Sequence, residues 1–127
     1  MTDRKRSRYL KKGEDMRLLN MKEAGNPQGI AIDPIPVTEG EEMTVLYYGL
    51  LSEAGADQVY LHCGYGDAHS WQNVQDVRME KTERGWVKTL KLEDDSRFNF
   101  CFKDSANNWD NNNGLNWSVE IHNGEQI

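Results

Sequence analysis

Short apolar runs separated by turn residues dominate the chain after its first 28 residues. Six runs rich in β-branched and aromatic residues span 43–51, 58–65, 77–81, 85–92, 97–103 and 117–122. A seventh run, over 29–37, contains Pro34 and Pro36, which restrict it to a sheet edge or to the start of a strand. No amphipathic helix lies between these runs. The pattern predicts an all-β fold, an immunoglobulin-like antiparallel β-sandwich of about seven strands.

The two-residue period of a strand assigns side chains to the two faces of the predicted sandwich. In the run 97–103 three phenylalanines alternate with other residues, and the phenylalanines must face the core. Cys101 and Lys103 are therefore expected to point outward. The same reasoning places His62 outward and Cys63 in the core, so the two cysteines should not form a disulfide.

Charge divides the chain into a basic arm and an acidic body. The chain carries 15 basic and 21 acidic residues, a net charge of −6, but residues 1–26 hold eight basic and four acidic residues, a charge of +4. The rest therefore carries −10. We interpret residues 1–27 as a basic N-terminal arm with at most one short helix, over 14–24, and residues 28–127 as the sandwich domain. The acidic body excludes nucleic acid as the main ligand, because phosphates require clustered Lys and Arg.

Several other classes of protein do not fit the sequence. It contains no apolar run long enough to span a membrane and no apolar segment of a secretory signal, so we expect a cytoplasmic protein without a membrane partner. Two cysteines are too few for a disulfide scaffold or a zinc site. The three histidines belong to no catalytic motif, and the stretch after Asp110 lacks the spacing of a calcium loop. We expect a protein that is not an enzyme and has no cofactor, and we assign no metal ligand.

Two of the four tryptophans lie in polar surroundings. Trp109 lies in an Asn-rich stretch, and Trp71 lies in a segment predicted to be the loop after the strand that carries His62. Trp86 and Trp117 each start an apolar run and are expected in the core. An exposed indole flanked by amides and acids suits a sugar, because the C–H face of a pyranose packs on the ring while its hydroxyls bond to polar side chains. The residues themselves thus favour sugar binding.

The order of these pieces resembles carbohydrate-binding module family 25. One piece is Val-Tyr-Leu-His-Cys-Gly at 59–64, followed by a tryptophan nine residues after the histidine. The other is a Phe-rich strand followed by Trp-Asp-Asn-Asn at 109–112. The resemblance runs from about residue 36 to residue 124. That family, like its close relative family 53 of plant starch synthases, consists of starch-binding β-sandwich domains.

The resemblance implies a ligand and a set of site residues. The ligand is an α-1,4-glucan such as starch, glycogen or a malto-oligosaccharide, and an enzyme of starch or glycogen metabolism is the implied partner. Three aromatic platform residues and three hydrogen-bonding residues would form the site: His62, Trp71, Trp109, Lys103, Asp110 and Asn112. The alternative is a protein-interaction or regulatory targeting module of an intracellular glycogen-metabolising complex, because exposed aromatic residues also bind proteins.

Overall fold

The computed structural model describes residues 29–94 and 96–123, so the predicted basic arm and its short helix lie outside the described residues. Ten strands follow one another in this described part of the chain: β1 (Ile30–Asp33), β2 (Val37–Thr38), β3 (Glu42–Tyr47), β4 (Val59–Asp67), β5 (Ser70–Arg78), β6 (Glu80–Thr82), β7 (Gly85–Lys91), β8 (Arg97–Asp104), β9 (Trp109–Asp110) and β10 (Trp117–His122). A single helical turn, α1 (Leu50–Glu53), follows β3. None of the described helical structure is long and apolar enough to cross a membrane.

The strands form two sheets. The first has the order β1–β3–β7–β6, and the second has the order β2–β10–β8–β4–β5, with β9 also paired to β8. All pairs are antiparallel except β2 with β10. The predicted all-β sandwich is confirmed. The described residues form ten strands rather than the predicted seven, because β2, β6 and β9 have only two or three residues each and are too short to be recognised as apolar runs.

Strand β5 corrects the prediction that Trp71 lies in a loop. The strand pairs with β4 in a hairpin, and Trp71 lies opposite Gly66. β5 is the edge strand of its sheet, and seven of its nine residues are exposed, with only Trp71 and Val77 partly buried. An edge strand of this kind lacks the apolar alternation from which strands are predicted, so its first residues were assigned to a loop.

Aromatic rings fill the space between the sheets. Phe98, Phe100 and Phe102 of β8 are fully buried, which confirms the face assigned to them. Tyr47 of β3 stacks on Phe102 with ring centroids 4.0 Å apart. Trp117 stacks on Phe100, and it is buried, as Trp86 is, in agreement with the prediction for both. Because β8 turns its phenylalanines inward, its alternate residues lie on the outer face of the second sheet.

The cysteines are only partly as predicted. Cys63 is buried and both cysteines are free, as expected, but Cys101 is buried as well, with 4% of its surface exposed. It lies opposite His62 in the β4–β8 pair, so it does face outward, but neighbouring side chains cover it. Burial, together with the nearby Asp76 carboxylate, raises the pKa of each thiol to about 12. The outward direction expected for Cys101 is confirmed, and the side chain is covered rather than exposed.

We predict that neither thiol reacts with Ellman's reagent in the folded protein at pH 8. The thiolate is the reacting species, and about four pH units below the thiol pKa its fraction is on the order of 10⁻⁴. The absorbance of the released thiolate measures the reaction. The same protein unfolded in guanidinium chloride should react at both cysteines, and one fast equivalent in the folded protein would contradict the burial of Cys101.

Candidate functional site

An open groove of about 420 Å³ lies on the outer face of the second sheet, beside β9. Its floor includes Cys101, and its polar and aromatic lining comes from β4, β5, β9 and the turns next to them: His62, His69, Trp71, Trp109, Asn111 and Asn116. The three aromatic residues that the resemblance implied thus lie together, although they come from three different strands. His69, Asn111 and Asn116 were not predicted, because sequence pattern alone does not place turn residues beside a strand.

The aromatic rings form a surface that is not flat. The His62 ring lies 5.7 Å from the Trp71 ring with a 38° angle between the planes. It lies 5.1 Å from the Trp109 ring, with the planes at 89°. The two indole planes must therefore differ by at least 51°, the difference between 89° and 38°. A ligand that contacts both indoles has to turn between them.

Gly64 makes room for the Trp71 side chain. A Cβ atom at Gly64 would lie 2.9 Å from Cβ of Trp71 and 3.1 Å from Cγ2 of Val74. The register between β4 and β5 shifts at this point, between Cys63 and Tyr65. The indole Nε1–H of Trp71 donates to the carbonyl of Ala68 at 2.8 Å, which fixes the ring. A glycine within a strand signals such a close approach, and this signal was available in the sequence.

Trp109 is presented by a short strand and a tight turn. It lies opposite Lys103 in the β8–β9 pair, and 45% of its surface is exposed. The Asp104 carboxylate closes the turn by accepting hydrogen bonds from the backbone N–H groups of Ala106 and Asn108 and from the Asn108 side chain. The bonds from Asn108 lower the pKa of Asp104, so this carboxylate stays ionised at neutral pH.

The Asp76 carboxylate links three residues of the site. Its Oδ1 lies 2.6 Å from Nδ1 of His62, and its Oδ2 lies 2.8 Å from Nζ of Lys103. The same Nζ lies 5.4 Å from the centre of the Trp109 ring, within cation–π range. Partial burial alone would raise the pKa of Asp76, but the hydrogen bonds from Lys103 and His62 and the charge of Lys103 outweigh it and lower the pKa. The sequence does not point to Asp76, because this residue lies between the predicted loop around Trp71 and the apolar run that starts at Val77.

Asp110 and Asn112 do not line the groove that contains His62, Trp71 and Trp109. Both line a second groove, of about 360 Å³, together with Tyr48 and Trp117. The Tyr47 hydroxyl donates to Oδ2 of Asp110 at 2.6 Å, and the Asn112 side-chain amide donates to the carbonyl of Asn116 at 3.1 Å. These bonds hold the segment that carries Trp109.

One comparison with known proteins finds a related family, and its match covers His62 and Trp71 but ends before Trp109. Residues 43–100 match the starch/carbohydrate-binding module family 53. The match supports the binding of starch or a related carbohydrate, and the resemblance to family 25 in particular stays a prediction. No curated protein and no solved structure shows significant similarity to the chain. Among the described residues, no group of three His, Cys, Asp or Glu side chains lies together as a metal ion would need.

We predict that Tyr47→Phe lowers the free energy of unfolding by about 1–3 kcal/mol, because it leaves the buried Leu51 N–H and the partly buried Asp110 carboxylate without this partner. The Tyr47 hydroxyl donates to Asp110 and accepts the backbone N–H of Leu51 at 2.8 Å. Burial, with the bond to Asp110, raises the pKa of Tyr47 well above its ordinary value, so the hydroxyl remains a donor. Unfolding in urea gives the measurement.

Tyr60→Phe is the matched control for this substitution. Tyr60 is partly exposed on the outer face of β4, and the described residues give its hydroxyl no hydrogen-bond partner. Its loss should change the free energy of unfolding by less than about 0.5 kcal/mol, as for ordinary surface substitutions. Equal effects of the two substitutions would contradict the special role of the Tyr47 hydroxyl.

Proposed function

We propose that the protein is a non-catalytic binding domain for α-1,4-glucans. The observation that carries this proposal is the angle of at least 51° between the indole planes of Trp71 and Trp109, the difference between 89° and 38°. Successive glucose units of an α-1,4-glucan turn relative to one another, whereas a β-1,4-glucan is a flat ribbon that fits a row of parallel rings. An angled pair of platforms therefore suits starch, glycogen and malto-oligosaccharides.

The aromatic residues of the groove and the polar residues at and near its rim have different roles in this proposal. Trp71 and Trp109 take the C–H faces of two glucose units, and His62 contacts the chain between them. Lys103, Asn111 and Asn116 bond to sugar hydroxyls at the rim. Asp110 and Asn112 act indirectly, because their hydrogen bonds hold the segment that presents Trp109.

The lining of the groove favours a sugar over a protein as ligand. A protein interface has an apolar centre, whereas imidazole and amide groups surround the two indoles here. We therefore place carbohydrate binding above a protein-interaction module. In a cytoplasm, the setting that we propose, the glucan is glycogen or starch, and an enzyme that builds or degrades it is the partner.

We predict that the protein binds maltoheptaose with a Kd of roughly tens to hundreds of micromolar and does not bind cellohexaose. The affinity is modest because sugar hydroxyls already bond well to water and few atoms are desolvated. Isothermal titration calorimetry measures the binding of both sugars.

Trp109→Ala and Trp71→Ala should each weaken maltoheptaose binding by about 2 kcal/mol or more, because each removes a large apolar platform. His62→Ala should weaken it less, because an imidazole is a smaller plane.

Leu115→Ala is the matched control in the loop after β9. Leu115 is 79% exposed, and the groove lining does not include it. Its removal should leave the affinity unchanged. Trp86→Ala should instead destabilise the fold, by about 3–5 kcal/mol, because it leaves a cavity in the core. If Trp109→Ala binds maltoheptaose as well as the parent protein does, the groove is not the glucan site.

A further inference from the structure

Both oxygens of the Asp76 carboxylate are used inside the proposed site. Oδ1 bonds to His62 of β4, the next strand, and Oδ2 bonds to Lys103 of β8, one strand further. Neighbouring strands lie about 4.8 Å apart, so Lys103 has to reach across β4 to meet this carboxylate. Lys103 in turn lies over the Trp109 ring. Asp76 thus connects three strands of the sheet, and Lys103 extends the connection to a fourth, β9.

The contact with Asp76 fixes which nitrogen of the neutral His62 ring carries the hydrogen. An ionised carboxylate only accepts hydrogen bonds, so Nδ1 must be the donor at 2.6 Å. The other nitrogen, Nε2, then carries a lone pair, and the described part of the chain gives it no hydrogen-bond partner. A neutral His62 therefore offers the groove an acceptor, which a sugar hydroxyl can satisfy.

The contact with Lys103 determines which face of Trp109 is free. A lysine side chain has a flexible four-carbon stem, and it loses much conformational entropy when it is held in one place. The 2.8 Å ion pair with Asp76 holds the ammonium group 5.4 Å from the indole centre, on one face of the ring. A glucose unit has only the opposite face on which to stack.

We propose that Asp76 is a positioning residue of the site, which sets the hydrogen-bonding state of His62 and holds Lys103 against one face of Trp109. This inference rests on the proposed function. It gives the ligand a defined requirement, a hydroxyl that donates to Nε2 of His62 next to the ring that stacks on Trp109. Neither the resemblance nor the comparison with family 53 assigns Asp76 a role.

The test combines binding with a direct observation of His62. In the parent protein without sugar, two-bond ¹H–¹⁵N spectra at a pH of about 8.5, well above the ordinary pKa range of histidine, should show the His62 hydrogen on Nδ1. In Asp76→Ala the hydrogen of the neutral His62 ring should move largely to Nε2. Calorimetry should show that this variant binds maltoheptaose about tenfold more weakly or worse, which is the size expected for the loss of a hydrogen bond to a charged group. Asp76→Asn keeps an acceptor for Nδ1–H but loses the charge, so it should keep the His62 state and recover part of the affinity.

Glu120→Ala is the matched control, because it removes the same charge from an exposed position on β10 of the same sheet. It should change neither the His62 spectrum nor the affinity. Asp76→Ala should also unfold at nearly the parent temperature, since 37% of the Asp76 side chain is exposed. A parent protein that binds no maltoheptaose would overturn the proposed function and this inference with it. A parent that binds, with Asp76→Ala binding equally well or with its His62 state unchanged, would overturn this inference alone.

Discussion

The hydrogen bond from the Tyr47 hydroxyl to Asp110 connects the core to the groove. Tyr47 is fully buried in the first sheet, its ring stacks on Phe102 of the second, and its hydroxyl has to find partners because an unpaired buried polar group is costly. Asp110 supplies one of them, 2.6 Å away. Since successive residues of a strand point to opposite sides, an inward Asp110 turns Trp109 outward, over the groove. Trp109 is thus exposed because the hydroxyl of a core tyrosine needs a hydrogen-bond partner, which the next residue, Asp110, provides.

Contacts on the outer face of the second sheet also hold the side chains of the groove in place, and this affects how the groove can bind a ligand. The Ala68 carbonyl fixes the indole of Trp71, and Asp76 holds His62 and Lys103. A sugar gains little from each hydroxyl it moves out of water, so ordering flexible side chains at the same time would remove most of the binding free energy. Platforms that are already fixed avoid that cost. A weak ligand of this kind therefore needs the rigid arrangement that the two sets of contacts provide.

Strong alternation made part of this structure predictable from the sequence. The phenylalanines of β8 fix its inner face, and with it the outward direction of Lys103 and, on the paired strand, of His62. Asp76 was out of reach because the edge strand β5 buries almost nothing and has no apolar pattern. In the loop after β9, Asn112, Asn113 and Asn116 have positive φ values, which interrupt the strand alternation. The direction of each asparagine side chain therefore cannot be predicted from its distance along the sequence to Trp109.

Cys101 shows that the direction of a side chain does not determine its exposure. It also forms part of the floor of the groove, where only a small side chain fits. Its outward direction follows from the period of β8, but its burial depends on the rings that come from other strands to lie over it. Gly64 is the second small residue on this face, and any Cβ there would collide with Trp71. Gly64 leaves room for Trp71, and Cys101 is the small residue opposite His62. A larger side chain at either position would displace the rings and change the angle between them, so the shape of the groove depends on its floor as much as on the aromatic residues.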